Sequence, residues 1–447
     1  MPLLRDLMYG LVIAATSPVW MVSMLRSGKW RTDWRGRFGH VKGMGSEAAS
    51  GGAGGKTIMI HAVSLGEVNA TREMVRRIHE QLAGQGRIVI TTTTNTGFDR
   101  AVELYGKQHT VLRYPFDFTR SVRRFLNAVQ PDVVVLVELE VWPTFVEECA
   151  KRAIPVCVVN GRLSERSYMR YKRVRRLMRN SFASLAACAV QTGDYATRFI
   201  GMGAVEERVR VTDSMKWDTA KVVEPHDVAG VNELAMAMGI NREKPVIVAG
   251  STGPGEEQML IRTKPAGVQM VIAPRKPERF EEVAAVVKRA KPQAAVVRRT
   301  QCADGSQRGQ DGTEIFLLDT MGELRKAYAL ADVVIVGRSF IDLFGSDPIE
   351  PIALGKPTVI GPRYGDFTEI VETFKAEGGI VISSEPCDAA SALLGDAAWA
   401  RELAVNGRRV ILSRQGATER HVALVMELMA EREKAKKRES EKAGNSE

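Results

Sequence analysis

The sequence has 447 residues, of which 45% are hydrophobic and 26% charged, and its formal net charge is +10. That length suits two domains of roughly 200 residues each, and the composition excludes a disordered chain, a collagen-like repeat and a polytopic membrane protein. The positive charge favours an anionic partner, such as nucleic acid, an acidic membrane face or a phosphorylated substrate. The five cysteines include no CxxC pair, which indicates neither a disulfide framework nor a zinc knuckle.

The N-terminal segment contains an uncharged run at residues 7–25, close to the length that crosses a hydrocarbon core. A cluster of lysines and arginines follows within residues 26–42, which predicts a cytoplasmic location for the rest of the chain. Ser17 and Pro18 interrupt the run, so a helix lying in the membrane interface competes with a membrane-spanning helix. A buried amphipathic helix is the third alternative.

Short β-branched segments alternate with amphipathic windows after Thr57, a pattern typical of parallel sheets covered by helices. A polar stretch after Asp218 separates two such series, so the sequence predicts a two-lobed, doubly wound α/β protein. The predicted strands are residues 57–63, 87–93, 109–113, 132–138, 155–160 and 186–191 in the first series, and 245–250, 268–273, 294–299, 314–319, 332–337 and 357–361 in the second. Ligands of such folds bind where strands end, and a cleft between two lobes is the expected active site.

Composition and strand pattern together predict five segments. They are a membrane-associated N-terminal helix with its basic flank (1–42), a glycine-rich connector (43–56), a first Rossmann-like domain (57–225), a second Rossmann-like domain (226–415) and a C-terminal helix with a charged tail (416–447). The connector ends in SGGAGGKT, which nearly matches a phosphate-binding P-loop. It precedes a strand, however, whereas a P-loop follows one, so we reject an ATPase.

Carboxylates follow two predicted strands of the first series. Ser64 and Glu67 have the spacing of a capping box, which is the structural alternative to a general base at a strand end. Glu138 and Glu140 are two residues apart, and on an extended chain their side chains share one face. Ordinary solvated strand ends are the alternative explanation for this pair.

Positive charge concentrates in a predicted helix at residues 166–179. A solvated basic face is the ordinary explanation, and binding to lipid phosphates is the more specific one. No aromatic–glycine RNA-binding signature accompanies the helix, so we expect no nucleic-acid partner.

Three segments of the second series have residues suited to a phosphate or a ribose. Arg275 leaves a strand end, where a guanidinium can bind a phosphate or carboxylate in a bidentate manner. Thr320 and Glu323 have capping-box spacing, and the helix N-terminus that they predict can hold a phosphate through its N–H groups. Glu350 follows a glycine-containing loop at the start of a predicted helix, a position suited to a ribose diol.

Motifs for two other chemistries are absent from the sequence. It contains neither an HExxH motif nor an Asp-x-Asp pair, so a metal that bridges a diphosphate-sugar donor is not indicated. A nucleophile elbow of the G-x-S-x-G type is also absent, which weakens an acyl-transfer interpretation.

Ordered motifs run through almost the whole chain, namely RFG near residue 37, HAVSLGE, TTTTNTG, VELEVWP, NGRLSERS, MKWD, APRKPERF, DTMGEL and DPIEP. In order and spacing they resemble the 3-deoxy-D-manno-octulosonic acid (Kdo) transferases of lipopolysaccharide assembly. The resemblance implies a GT-B glycosyltransferase fold of two Rossmann-like lobes with a cleft between them. It also implies metal-independent, inverting transfer of Kdo from CMP-Kdo, held by the second domain, to a lipid A precursor (lipid IVA), held by the first.

The resemblance assigns roles to individual residues. Glu67 matches the proton acceptor that activates the acceptor hydroxyl, and Glu138 and Lys216 match positions of transition-state stabilisation. The residues that match the CMP-binding segments are Pro274, Arg275, Met321, Gly322, Glu323, Asp347, Pro348, Ile349 and Glu350. No cofactor is implied beyond the donor, and the implied partners are CMP-Kdo, a lipid A precursor and the anionic cytoplasmic face of the inner membrane.

The second lobe departs from the family pattern at several positions. Lys276 replaces a histidine, Arg338 replaces a glycine, and Ser346 and Asp347 replace a histidine and an asparagine. These differences leave two alternatives open. One is a related glycosyltransferase that uses another nucleotide-activated sugar, and the other is an inactive homologue that binds anionic lipid.

Overall fold

The computed structural model describes residues 6, 10, 33–41, 55–292, 296–302 and 314–444. The predicted membrane-associated run at residues 7–25 lies outside these ranges except for Gly10, and the predicted connector lies outside them except for its last two residues. Among the residues described, no helix is both long enough and apolar enough to cross a bilayer.

The chain folds into two compact units. The first comprises the residues up to Asp218 together with Gly416–Glu447, and the second comprises Thr219–Gln415. Each unit has a seven-stranded sheet in which all paired strands run parallel. Strands buried on both faces form continuous apolar runs, as in Val133–Val137, where every residue is buried.

The strands of the first unit are β1 (Lys56–His61), β2 (Gly86–Thr92), β3 (Thr110–Arg113), β4 (Val133–Val137), β5 (Val156–Gly161), β6 (Ala187–Val190) and β7 (Val209–Val211). Their order in the sheet is β3-β2-β1-β4-β5-β6-β7. Each strand predicted for this unit is present within two residues of its predicted ends. The sequence does not predict β7, because this edge strand has three residues and two of them are exposed.

The strands of the second unit are β8 (Val246–Thr252), β9 (Gln269–Pro274), β10 (Val296–Arg298), β11 (Ile315–Leu317), β12 (Val333–Val336), β13 (Thr358–Ile360) and β14 (Val381–Ile382). Their order is β10-β11-β9-β8-β12-β13-β14. Here too each predicted strand is present. The edge strand β14 is not predicted, because two residues are too few for a recognisable pattern.

Helices alternate with the strands along most of the chain. Those of the first unit are α1 (Trp34–Arg37), α2 (Leu65–Ala70), α3 (Arg72–Leu82), α4 (Asn95–Tyr105), α5 (Thr119–Val129), α6 (Pro143–Lys151), α7 (Glu165–Arg173), α8 (Arg175–Ala183), α9 (Gly193–Met202) and, at the end of the chain, α19 (Ala417–Gly444). Those of the second unit are α10 (Val231–Met238), α11 (Glu256–Thr263), α12 (Phe280–Ala290), α13 (Arg299–Cys302), α14 (Leu324–Leu330), α15 (Ile349–Ala353), α16 (Thr368–Ala376), α17 (Pro386–Gly395) and α18 (Ala397–Arg414).

The C-terminal helix α19 belongs to the first unit. Its residues Val425 and Met429 are buried in the same apolar core as alternate residues of β1 and β4. The carboxylate of Asp218 accepts the N–H of Gly416 at 2.7 Å and the N–H of Thr418 at 2.6 Å, and so caps the helix where it begins. The sheet of the first unit is therefore covered on one face by the last segment of the chain.

Candidate active site

Glu67 lies in the first turn of α2, just beyond the carboxyl end of β1. Its Oε1 accepts a hydrogen bond from the Ser64 hydroxyl at 2.7 Å, and its Oε2 accepts one from the N–H of Val63 at 2.8 Å. The Oγ of Ser64 accepts the N–H of Glu67 at 3.3 Å. The predicted capping box is confirmed, except that the carboxylate binds the N–H of Val63 and not that of Ser64. Each carboxylate oxygen keeps a lone pair for another donor.

Glu138 and Glu140 follow β4 without continuing it. The strand ends at Val137, and Glu138 has a left-handed conformation, with φ of +63°. The extended geometry from which we predicted a shared face is therefore wrong for this pair. A turn connects the two acids instead, and Oε2 of Glu140 accepts a hydrogen bond from the indole N–H of Trp142 at 2.8 Å.

Three carboxyl groups of the first unit act on one another electrostatically. Burial raises the pKa of Glu138 and the charge of Glu67 raises it further, whereas Arg162 and Lys216 lower it. Burial also raises the pKa of Glu140 to about 7, with its indole hydrogen bond opposing the shift and the other two acids adding to it. Glu67 and Lys216 are thus each within electrostatic reach of Glu138, and Glu140 of both other acids. Arg162, to which the sequence analysis gave no role, also acts on Glu138.

Lys216 lies in a 3-10 helix, Met215–Asp218, that the MKWD motif forms. Met215 and Trp217 are buried on either side of it, whereas Lys216 itself is only partly buried. Its N–H donates to the Oγ of Ser214 at 3.3 Å. The backbone of the lysine is thus anchored by its neighbours, while the ammonium group contributes positive charge to the acidic cluster.

His61, the last residue of β1, is fully buried beside Glu140. Its Nδ1 is 3.1 Å from the Thr91 carbonyl and 3.0 Å from the Thr91 hydroxyl, and its ring stacks on Tyr114 with centroids 3.8 Å apart. Its Nε2 lies 4.0 Å from Oε2 of Glu140. Burial lowers the pKa of His61 to about 3, so the ring is neutral at physiological pH and adds no charge to the cluster.

In the second unit, Pro274 and Arg275 stand at the carboxyl end of β9. Pro274 is buried as the last residue of the strand, and Arg275 is exposed directly after it. The N–H of Arg275 donates to the Thr252 carbonyl at 3.0 Å. An anchored backbone therefore carries a solvent-exposed guanidinium, which suits an anionic ligand.

Met321, Gly322 and Glu323 precede α14, which starts later than the sequence predicts. The helix begins at Leu324 with Glu323 as its N-cap residue, so the predicted capping box with Thr320 is wrong. Gly322 has φ of +83°, and this left-handed conformation turns the chain before the helix can start. The Thr320 hydroxyl still donates to Glu323, at 2.6 Å.

Ion pairs balance the charge of Glu323. Arg299 donates to its carboxylate from Nε at 2.9 Å and from Nη2 at 3.2 Å, and Nζ of Lys326 is 3.5 Å away. Burial raises the pKa of Glu323, but hydrogen bonds from Thr320 and Arg299 outweigh burial and lower it overall. This ionised carboxylate is suited to orienting the loop and not to direct contact with a phosphate.

Asp347, Pro348, Ile349 and Glu350 form the start of the short helix α15. Asp347 Oδ1 accepts the N–H of Ile349 at 2.9 Å, and Pro348 is the N-cap residue. Glu350 lies in the first turn, as predicted, with its Oε1 3.6 Å from Nη1 of Arg325. Burial raises the pKa of Glu350, and the charge of Arg325 opposes that shift.

The loops that follow β8 and β12 are joined by Glu256, which the sequence did not predict as a site residue. Its buried carboxylate accepts the N–H of Gly253 at 2.8 Å, of Arg338 at 2.6 Å and of Phe340 at 3.0 Å. Arg338 has φ of +60°, a conformation that glycine adopts without strain but other residues rarely do. An arginine at position 338 therefore adds backbone strain and a positive charge to a loop that Glu256 holds in place.

The two units offer different chemistry. The first combines three carboxyl groups with Arg162 and Lys216, which suits proton removal from a hydroxyl and stabilisation of a charged transition state. The second presents Arg275 at a strand end, which suits a phosphate. Within the described ranges, no three His, Cys, Asp or Glu side chains are grouped so that they could hold a metal ion.

Comparison with known proteins gives the family. Residues 32–219 match the family model described as 3-deoxy-D-manno-octulosonic-acid transferase (kdotransferase). The 3-deoxy-D-manno-octulosonic acid transferase of Bordetella pertussis is 30% identical over 435 residues, which cover 92% of this chain and 96% of that protein. The chain belongs to the Kdo transferase family. The Haemophilus influenzae member is 28% identical over 82% of this chain and 86% of its own length.

Solved structures show the same fold. A glycosyltransferase from Rickettsia africae aligns with a TM-score of 0.53 at 12% identity, over 84% of this chain and 99% of its own. The UDP-GlcNAc 2-epimerase of Neisseria meningitidis aligns with a TM-score of 0.54 at 12% identity, over 83% of this chain and 100% of its own. The two parallel-sheet units are therefore structurally similar to GT-B glycosyltransferases, as the family resemblance implies.

The raised pKa of Glu140 predicts a pH-dependent effect of Glu140→Gln. A carboxyl group whose pKa is higher in the folded chain binds its proton more tightly there, so stability falls as pH rises from about 5 to about 7. The amide of glutamine stays neutral and can still accept the Trp142 bond. We therefore expect the difference in melting temperature, variant minus original protein, to increase between pH 5 and pH 8. Glu207→Gln, at an exposed position, is the control, and a difference that is constant across this range would contradict the assignment.

Proposed function

We propose that the chain is an inverting glycosyltransferase that moves Kdo from CMP-Kdo to a lipid A precursor. The observation that carries the proposal is the cluster of Glu67, Glu138 and Lys216 in the first unit of a member of the Kdo transferase family. A hydroxyl acceptor needs a base and a sugar donor needs charge stabilisation, and this cluster supplies both kinds of group.

Glu67 is the proposed general base. Its carboxylate is held by the Ser64 hydroxyl and the Val63 N–H, so it is oriented before an acceptor arrives. It accepts the proton of the acceptor hydroxyl as that oxygen forms a bond to the anomeric carbon of Kdo. The bond from that carbon to the phosphate oxygen breaks, and CMP leaves with the electron pair. Attack from the face opposite CMP inverts the anomeric centre.

Glu138 and Lys216 are proposed to stabilise the transition state. Positive charge develops on the sugar ring as CMP departs, and a carboxylate such as Glu138 stabilises it. Lys216 lowers the pKa of Glu138 and so favours its ionised form. The ammonium group is also suited to an anionic group of the donor, which has both a carboxylate and a phosphate.

The second unit is proposed to bind CMP without a metal. Arg275 is an exposed guanidinium at a strand end and is suited to the phosphate. Glu350 at the start of α15 is suited to the ribose hydroxyls. In this mechanism the cation at the leaving phosphate is Arg275, so turnover is expected to survive treatment with a chelator.

An anionic membrane surface is the proposed location of the enzyme, on the cytoplasmic side of the inner membrane. Helices α7 and α8 present exposed basic side chains and two exposed apolar ones, Met169 and Val174. The basic ones are Arg166, Arg170, Lys172, Arg173, Arg175, Arg176 and Arg179. Each such charge near anionic lipid contributes about 1 kcal/mol to the free energy of membrane binding. The uncharged run at residues 7–25 is proposed to add apolar binding to the bilayer.

Fractionation tests this location. We expect the full chain to sediment with vesicles that contain phosphatidylglycerol and to remain bound at high salt. A chain that begins at Lys56 retains only the basic surface, so its binding should fall as salt screens the charges. Recovery of the full chain in the supernatant at low salt would contradict the proposed membrane association.

The activity is tested by incubating the full chain with CMP-Kdo and a tetraacylated lipid A precursor and measuring the product by mass spectrometry. A mass increase of one or more Kdo residues supports the proposal. Transfer only from another nucleotide-activated sugar would favour the related glycosyltransferase, to which the residues at 276, 338, 346 and 347 point. Lipid binding without transfer from any donor would favour the inactive homologue.

The Glu67→Gln variant distinguishes a role of Glu67 as general base from a role in helix capping alone. The carbonyl of glutamine can still accept the Val63 N–H, so we expect melting and CMP binding close to those of the original protein. Glutamine cannot take up a proton, so turnover should fall at least about 100-fold. Glu73→Gln, also in the first turn of a helix, is the control and should leave turnover unchanged. Turnover within a few fold in Glu67→Gln would limit Glu67 to capping and make Glu138 or Glu140 the candidate base.

Arg275→Ala tests the donor site. A charge-assisted hydrogen bond contributes about 1.5 to 3 kcal/mol, so CMP affinity should fall by about 10- to 150-fold in calorimetric titration. Arg289→Ala, at an exposed position in the last turn of α12, is the control. If the two variants bind CMP equally well, Arg275 does not contact the nucleotide.

A further inference from the structure

Asn160 lies near the carboxyl end of β5 in a conformation that few residues other than glycine adopt. Its φ is +52°, and only 1% of the residue is exposed. Asparagine is one of the few residues that tolerate this left-handed region. Such conformations are found at functional sites when the surrounding structure holds them in place.

Four hydrogen bonds hold Asn160. Its Oδ1 accepts the N–H of Met215 at 3.0 Å and the hydroxyl of Ser214 at 3.4 Å. Its main-chain N–H donates to Nε2 of His421 at 3.3 Å, and its carbonyl accepts the side-chain amide of Gln191 at 2.9 Å. One buried residue thus joins β5 to the end of β6, to the MKWD turn and to the C-terminal helix.

The Asn160 side chain reaches the backbone of Lys216 through Ser214. The Ser214 hydroxyl donates its proton to Asn160, so a lone pair of the same oxygen is directed at the N–H of Lys216, 3.3 Å away. Met215, the residue between them, is bound by Asn160 directly. The amide of Asn160 therefore holds both residues that precede Lys216.

Asn160 also adjoins the residue that supports Glu138. The carbonyl of Val159 accepts the N–H of Glu138 at 3.0 Å, and Asn160 follows Val159 in the chain. A shift of Asn160 would therefore change the separation of Glu138 and Lys216. Misplacement by about 1 Å within an active site can cost about 100-fold in rate.

We propose that Asn160 is a positioning residue that sets the location of Lys216 relative to Glu138. The inference rests on the proposed function, because it assumes that both residues act in Kdo transfer. Asn160 acts through the hydroxyl of Ser214 and the backbone N–H of Met215 and requires no contact with either substrate.

Two substitutions separate the side-chain amide from the backbone conformation. Asn160→Gly adopts the same φ without strain and removes the whole side chain, including the acceptor of Met215 and Ser214. Asn160→Asp keeps an acceptor for Met215 and Ser214 and also tolerates this φ. Gln130→Gly is the matched control, because Gln130 has a left-handed φ of +47° at an exposed position that ends α5.

Amide hydrogen exchange of the full chain tests the positioning without reference to turnover. In Asn160→Gly the N–H of Met215 loses its acceptor, so we expect the peptide that covers residues 214–217 to exchange at least about tenfold faster. Asn160→Asp and Gln130→Gly should exchange like the original protein. Unchanged exchange of this peptide in Asn160→Gly would overturn the proposal.

Kinetics then test whether the positioning matters for transfer. We expect Asn160→Gly to lower kcat about 10- to 100-fold with the KM for CMP-Kdo within about threefold, and Asn160→Asp to recover most of the loss. In a Lys216→Ala background, Asn160→Gly should lower kcat by less than about threefold, because it can no longer act through Lys216. Multiplicative effects of the two substitutions, or equal losses in the Gly and Asp variants, would overturn the proposal.

The two measurements distinguish failure of this inference from failure of the proposed function. If exchange increases in Asn160→Gly while Lys216→Ala leaves kcat unchanged, the positioning is supported and the catalytic role of Lys216 is wrong. If Lys216→Ala lowers kcat while Asn160→Gly changes neither exchange nor kcat, the catalytic role stands and the positioning is wrong.

Discussion

The hydrogen bond from the N–H of Glu138 to the carbonyl of Val159 is the constraint on which the candidate site depends. It continues the pairing of β4 with β5 one residue past the end of β4. Near this point the backbone has positive φ at Glu138, where the chain leaves β4, and at Asn160, one residue before β5 ends, so an acid and an amide lie close to the carboxyl ends of the two strands. Because parallel strands end at one edge, Glu67 after β1 belongs to the same group. The site therefore follows from how the sheet terminates.

Grouping three carboxyl groups at a buried edge is unfavourable, and several features offset the repulsion. Arg162 and Lys216 lower the pKa of Glu138, and Glu140 has a pKa of about 7, so it can hold a proton near neutral pH. His61 beside Glu140 is neutral and adds no charge. Perturbed carboxyl groups of this kind are typical of catalytic sites, where stability is lost in exchange for reactivity. The apolar faces of the sheet supply stability elsewhere.

The second unit repeats the sheet architecture but uses its buried acids differently. Glu256 accepts three main-chain N–H groups, so its carboxylate joins two loops instead of facing a ligand. Arg299 likewise balances Glu323 before the short helix α14. Arg275 remains as an exposed cation at a strand end. The first unit thus presents carboxyl groups, which suit a hydroxyl acceptor. The second unit presents a positively charged strand end, which suits a phosphate.

Sequence periodicity alone determined the strands of both units except the short edge strands β7 and β14, and local spacing determined the capping box of Glu67, because each depends on neighbours a few residues away. The capping box expected at Glu323 failed, because the φ of +83° at Gly322 delays the helix, and local spacing does not reveal such a turn. Only the tertiary structure decided that α19 covers the first sheet and that Asn160 supports the turn before Lys216. The Asn160 bond joins residues 55 positions apart. No local pattern encodes a hydrogen bond of that separation, because it forms only after the intervening strands have taken their places in the sheet.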